Sequence, residues 1–95
     1  MTYEVIIIGS GPAGLSAGVY LGRAKVKTLL VGKPENSQVM KAHNIMNYLG
    51  FPEGITGPDF LKKALDQVKK YRVPIIKKEV VNVIKKNGLF NIKTA

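Results

Sequence analysis

The sequence predicts an α/β fold: a βαβ unit with a glycine-rich turn, a second helix, a third parallel strand and a closing antiparallel hairpin. Three observations carry this. The apolar run Val5-Ile6-Ile7-Ile8 breaks at Gly9-Ser10-Gly11-Pro12-Ala13-Gly14, and a helix-like stretch follows at once. Apolar side chains recur at helical spacing from Phe60 to Tyr71. Asn87-Gly88, a pair that tolerates positive φ at both turn positions, divides two strand-like segments.

Each element follows from its residues. Thr2 to Ile8 is short, apolar and rich in β-branched side chains, as a buried strand requires. Gly9 permits a tight turn out of it, and Pro12 suits a first helical turn, where an N–H is dispensable. Residues 13–22 form the helix, with Leu15, Val19 and Gly22 near one face and Ala13, Ala17 and Tyr20 beside them. A second strand, Val26 to Val31, completes a βαβ unit, so the two strands run parallel with a right-handed crossover. Gly32 to Thr56 is loop-rich, relieved by a helical turn around residues 37–42; a loop of this length in a compact domain is often functional.

Thr56 or Gly57 caps the next helix, Pro58 occupies its first turn, and Asp59 complements its dipole. Phe60, Leu61, Ala64, Leu65, Val68 and Tyr71 line one face, with lysines on the other. Val73-Pro74-Ile75-Ile76 reads as the third strand. Lys78 to Lys85 and Leu89 to Thr94 form the hairpin, with Phe90, Ile92 and Thr94 on one face of the last strand. There is no internal repeat.

Gly-x-Gly-x-x-Gly between a strand and a helix is the arrangement that holds a dinucleotide pyrophosphate. Gly9 supplies the turn, Gly11 lets the backbone approach the phosphates, and Gly14 lets helix and strand pack closely. The free N–H groups and positive dipole end of the helix then face the anion. A tight strand-to-helix turn without a ligand is the competing reading, and the flanking strand and helix favour the nucleotide.

Composition bounds the rest. Ninety-five residues make one small domain, too short for a complete two-domain flavin or nicotinamide enzyme. Hydrophobic content of 45% supports a core rather than disorder. No apolar run approaches the roughly 20 residues that span a bilayer, and the N-terminus lacks the basic start of a signal peptide, so no membrane association and a cytoplasmic location are expected. Without cysteine there is no disulfide, thiolate metal site or redox dithiol, and His43 alone makes no metal site.

The net charge of +9 is uneven. Residues 1–61 carry five basic and four acidic side chains, and residues 62–95 carry ten and two. Lysine pairs recur at 62–63, 69–70, 77–78 and 85–86. Such a surface attracts nucleic acid or an acidic protein. Lysine dominates over arginine, however, and no aromatic ladder is interleaved with it, so solvated faces and protected strand edges are the favoured reading and nucleic acid is not an expected partner.

Taken together, Gly9-Ser10-Gly11-Pro12-Ala13-Gly14-Leu15 and Asn47-Tyr48-Leu49-Gly50-Phe51-Pro52-Glu53-Gly54-Ile55-Thr56-Gly57 resemble the N-terminal FAD-binding segment of the thioredoxin reductase family, within the pyridine nucleotide-disulfide oxidoreductases. The resemblance runs from Tyr3 to about Lys93, and the second motif makes it specific. It implies a partial Rossmann-like FAD-binding domain over residues 1–95, in which Gly9, Ser10, Gly11, Pro12, Ala13 and Gly14 hold the FAD pyrophosphate. It implies that the segment from Gly32 to Gln38 runs along the adenosine ribose, that Asn47 reaches toward the flavin, and that the Val80 backbone contacts adenine. For Asn47 the alternative is satisfaction of loop backbone groups, and for Val80 a place in the core.

The chain departs from the family in places. Dinucleotide folds often carry an acid at the end of the second strand for the ribose hydroxyls; here the sequence is Val31-Gly32-Lys33, with Glu35 nearby as a substitute. Met46 stands where true thioredoxin reductases often have an acid, and Asn36-Ser37 where a glycine pair is common, which brings the chain nearer to the thioredoxin-reductase-like oxidoreductases. The family's nicotinamide-binding domain, its second glycine fingerprint and its Cys-x-x-Cys are not in these residues. The chain therefore reads as the opening segment of a larger flavoprotein, truncated or split, whose remainder is a separate chain or part of a homodimer, and NAD(P)H is expected only with that remainder.

In the intact family, electrons pass from NAD(P)H through FAD to a disulfide or another acceptor. No residue here has the character of a general base, nucleophile or redox thiol, so none is assigned a catalytic role. A stand-alone, non-catalytic dinucleotide-binding module remains the alternative.

Overall fold

The computed structural model describes residues 1–95. Its elements, in order, are β1 (Val5–Ile8), α1 (Pro12–Arg23), β2 (Thr28–Val31), two short 3-10 turns (Pro34–Asn36 and Gln38–Lys41), α2 (Gly57–Lys70), β3 (Ile75–Ile76), β4 (Val80–Lys86) and β5 (Leu89–Thr94). The fold is α/β, and every predicted element is present. The first strand is shorter than Thr2 to Ile8, and the third shrinks from four residues to two. Pro74 has no N–H to donate to the ladder, although its carbonyl accepts from the Leu30 N–H at 3.0 Å, and Val73 before it is buried in the core, 5% exposed.

β1, β2 and β3 form a parallel sheet with β2 in the centre. Val5 pairs with Thr28 and Ile8 with Val31; on the other side Leu30 pairs with Ile75 and Val31 with Ile76. All four β2 residues are buried, as expected of a parallel strand flanked on both sides.

The core is Leu15 from α1, Leu30 from β2, Leu61 and Val68 from α2, and Val73. Ile7, Val19, Val39, Met40, Ala64, Leu65 and Ile75 pack around it. The helical face read from the sequence is thus the buried one, while Lys62, Lys63, Lys69 and Lys70 of α2 are exposed. Of the two possible caps, Thr56 acts: its hydroxyl oxygen accepts from the Asp59 N–H at 3.2 Å.

The long segment between β2 and α2 is not structureless. The 3-10 turn at Gln38–Lys41 falls within the predicted helical turn. Ile45 and Ile55 form an antiparallel bridge, closing residues 46–54 into a loop. Tyr48 meets Phe60 edge-on, ring centroids 4.8 Å apart, and Phe51 lies 6.2 Å from both rings. These aromatic contacts fasten the loop to the start of α2.

β4 and β5 pair antiparallel, Val83 opposite Ile92 and Lys85 opposite Phe90, around a turn with Asn87 at φ 54° and Gly88 at φ 77°. No residue of either strand is buried, and Phe90 is 64% exposed.

Candidate functional site

The carboxyl ends of the parallel strands open into one cleft of about 730 Å³. That is where open α/β sheets receive ligands, and the volume lies within the range of small-molecule sites. Three segments line it. The loop and first turn of α1 contribute Ile8 and Gly9, Ser10, Gly11, Pro12, Ala13 and Gly14. The end of β2 and the turns after it contribute Val31, Gly32, Lys33, Asn36, Ser37 and Gln38. The connection from β3 to β4 contributes Lys78, Glu79 and Val80.

The three loop glycines answer to different demands. Gly9 has φ 115°, a backbone region closed to most side chains. A Cβ on Gly14 would collide with the Gly9 carbonyl, so close approach of α1 to the loop excludes any side chain there. Gly11 is under neither constraint. Its φ of −78° suits any residue, and an added Cβ would meet no protein atom within 4 Å. Packing and backbone conformation therefore leave position 11 free.

The start of α1 differs from that of α2 in the same sense. Thr56 caps α2, but no side chain caps α1, whose N-cap is Gly11. The first helical bond there runs from the Leu15 N–H to the Gly11 carbonyl at 3.0 Å. The amides of Ala13 and Gly14 precede it, belong to residues that line the cleft, and have no side-chain capping oxygen. An uncapped helix start with glycines beside it accepts an anionic oxygen through backbone N–H groups.

The loop is also braced from the β2 side. A Cβ on Gly32 would lie 2.7 Å from the Ser10 Oγ and 2.9 Å from its nitrogen. Ser10 is 5% exposed, so Gly32 and Ser10 pack as a unit that ties the glycine loop to the end of β2.

Of the residues singled out from the sequence, the cleft brings together Gly9, Ser10, Gly11, Pro12, Ala13, Gly14, Gly32, Gln38 and Val80. Glu35 and Asn47 are not among its lining residues. Glu35 sits exposed in the 3-10 turn whose buried member is Pro34. Asn47 is exposed on the loop that Tyr48 and Phe51 hold against α2. Sequence reasoning included Lys33 in the segment from Gly32 to Gln38 but did not select Lys78 or Glu79 as cleft residues. The available signal was topological: parallel neighbours deliver the residues just past their last paired positions to the same edge.

Comparison with known proteins agrees with this geometry. A family model described as pyridine nucleotide-disulphide oxidoreductase matches residues 3–95. The chain is 38% identical over 95 residues to a thioredoxin reductase of Rickettsia prowazekii, covering 99% of this chain and 31% of that protein. It is 33% identical over 97 residues to an NADPH-dependent thioredoxin reductase 3 of Arabidopsis thaliana, covering 97% of this chain and 18% of that protein. The structure of a Lactococcus lactis thioredoxin reductase superimposes with a TM-score of 0.90 at 33% identity, over 98% of this chain and 31% of that one. The chain thus spans less than a third of the length of these relatives.

Proposed function

This chain belongs to the pyridine nucleotide-disulphide oxidoreductase family, and we propose on that footing that it is the FAD-binding opening portion of a thioredoxin-reductase-like flavoprotein. The reading rests above all on position 11, where the fold makes no demand for glycine. A ligand whose phosphates lie against the backbone does make that demand. The uncapped start of α1 supplies N–H donors at the same place.

In this reading the loop from Gly9 to Gly14 holds the FAD pyrophosphate, and Gly32, Gln38 and Val80 run along its adenosine half. No contact is assigned to Glu35 or Asn47, which stand outside the cleft lining. When bound, FAD supplies the redox chemistry, taking electrons from NAD(P)H and passing them to a disulfide or another acceptor. The protein residues bind and orient it. No part of residues 1–95 is assigned to the nicotinamide.

Gly11→Val tests this directly. An added Cβ at position 11 meets no protein atom within 4 Å, so the fold accommodates the change at the modest cost of a poorer N-cap, while the branched side chain blocks approach to the backbone. FAD affinity, read from flavin absorbance retained after desalting and from flavin fluorescence titration, should fall at least about a hundredfold, as loss of close phosphate contacts implies. Undiminished FAD binding in a folded Gly11→Val chain would falsify the assignment.

A further inference from the structure

The far end of the two helices carries a charge arrangement that the dinucleotide cleft does not use. α1 starts in the cleft and runs 12 residues away from it, about 18 Å of helix. It ends at Arg23, and α2 ends at Lys70. Each helix is followed by one capping residue and then by a second cation, Lys25 and Arg72 respectively. Gly22 packs on Tyr71, where an added Cβ would lie 2.8 Å from the Tyr71 Cβ, and this brings the two endings together. Gly22, Arg23, Lys25, Lys70, Tyr71 and Arg72 line one open depression of about 510 Å³, with no carboxylate among them. Arg23 and Arg72 are the only arginines in a chain with 15 basic residues.

The fold accounts for only part of this. A cation in the last turn, such as Arg23 or Lys70, complements the helix dipole. Lys25 and Arg72 differ: they hold φ 59° and 60°, the left-handed position after a helix that glycine fills with least strain. The helix ends do not need these side chains, because backbone donors already serve the terminal carbonyls. The Lys25 N–H donates to the Gly22 oxygen at 3.0 Å, the Val26 N–H to the Leu21 oxygen at 3.1 Å, and the Arg72 N–H to the Lys69 oxygen at 3.0 Å. All four cationic residues are exposed. The same strained position is thus filled by a cation at both helix ends, and both cations line one depression. We propose that this depression binds a compact polyphosphate, at a site separate from that of FAD. Guanidinium forks match pairs of phosphoryl oxygens, and the two ammonium groups add point charge. Four cations around a space of small-molecule size favour an anion that concentrates several charges.

Inorganic tripolyphosphate is the probe, titrated by calorimetry into the whole chain at low ionic strength, with and without FAD. It should bind with an affinity that FAD leaves unchanged. In Lys25→Gly/Arg72→Gly the affinity should fall at least about tenfold, the scale of lost charge-assisted contacts. The thermal midpoint of that variant should not fall, because glycine suits φ near 60°. Lys62→Gln/Lys93→Gln removes the same charge from exposed positions outside the depression and should leave most of the affinity in place. Uridine triphosphate separates the two sources of the phosphate chain: binding equal to that of tripolyphosphate shows that the chain alone is read, and tighter binding, lost in the same variant, that a nucleoside is read with it. Unchanged affinity in Lys25→Gly/Arg72→Gly, equal losses in the two double variants, or no binding by the folded parent overturns the proposal. Competition by FAD also overturns it, since the probe would then occupy the glycine loop.

Discussion

The parallel sheet and the hairpin are built by opposite means. β2 is buried along its whole length between two strands and beneath two helices, and its residues meet partners far away in sequence. β4 and β5 contain no buried residue and pair only with each other, across a two-residue turn. Burial of apolar side chains holds the first region, whereas the hairpin rests on backbone pairing and turn conformation. The cleft follows this division. The sheet, α1 and the turns after β2 supply most of its wall, and the hairpin supplies only its root at Val80.

The contrast can be broken at three points, in descending size of effect. Leu30 is fully buried at the centre of the core. Leu30→Ala should cost about 3 kcal/mol, the loss of transfer energy plus a cavity, seen as a lower urea midpoint for the whole chain. If only part of the signal shifts, the sheet and helices do not unfold together.

Asn87 holds φ 54° in the hairpin turn. A β-branched residue fits that conformation poorly, so Asn87→Val should destabilise the hairpin locally by about 1–2 kcal/mol. Amide exchange should quicken in β4 and β5 and stay unchanged in β2. Faster exchange in both would show that the hairpin is integral to the core. Phe90, largely exposed, should matter least: Phe90→Ser should shift the thermal midpoint by the equivalent of about 0.5 kcal/mol or less. A larger drop would mean that its contact with Lys85, whose ammonium lies 5.6 Å from the ring centroid, or its strand pairing carries more than local weight.

Much of this was legible in the sequence because it depends on local chemistry. The strand-turn-helix signal at Val5 to Gly14, the Thr56 cap and the Asn87-Gly88 turn each follow from side chains within a few residues of one another. The apolar spacing of α2 marked Leu61 and Val68 correctly as core. The third strand is shorter than its apolar run because Pro74 donates no N–H to the ladder, and Val73 before it serves as a long-range packing site. The resemblance implies that Asn47 reaches toward the flavin, whereas the position of its loop depends on the aromatic contacts of its neighbours Tyr48 and Phe51. No periodicity encodes such contacts.

The sequence by itself determined the order of elements, the glycine loop and the apolar faces, since these rest on backbone conformation and side-chain period. It also carried the family, through the motifs at residues 9–15 and 47–57. Only the tertiary structure decided which residues share the cleft. It brought the exit of β2 at Lys33 beside that of β3 at Lys78 through parallel register, left Glu35 outside the cleft lining, and showed that a Cβ at Gly11 would meet no protein atom. The reason is physical: a cleft is a junction of segments far apart in the chain, and their spacing is set by sheet hydrogen bonds and core packing that no local stretch contains.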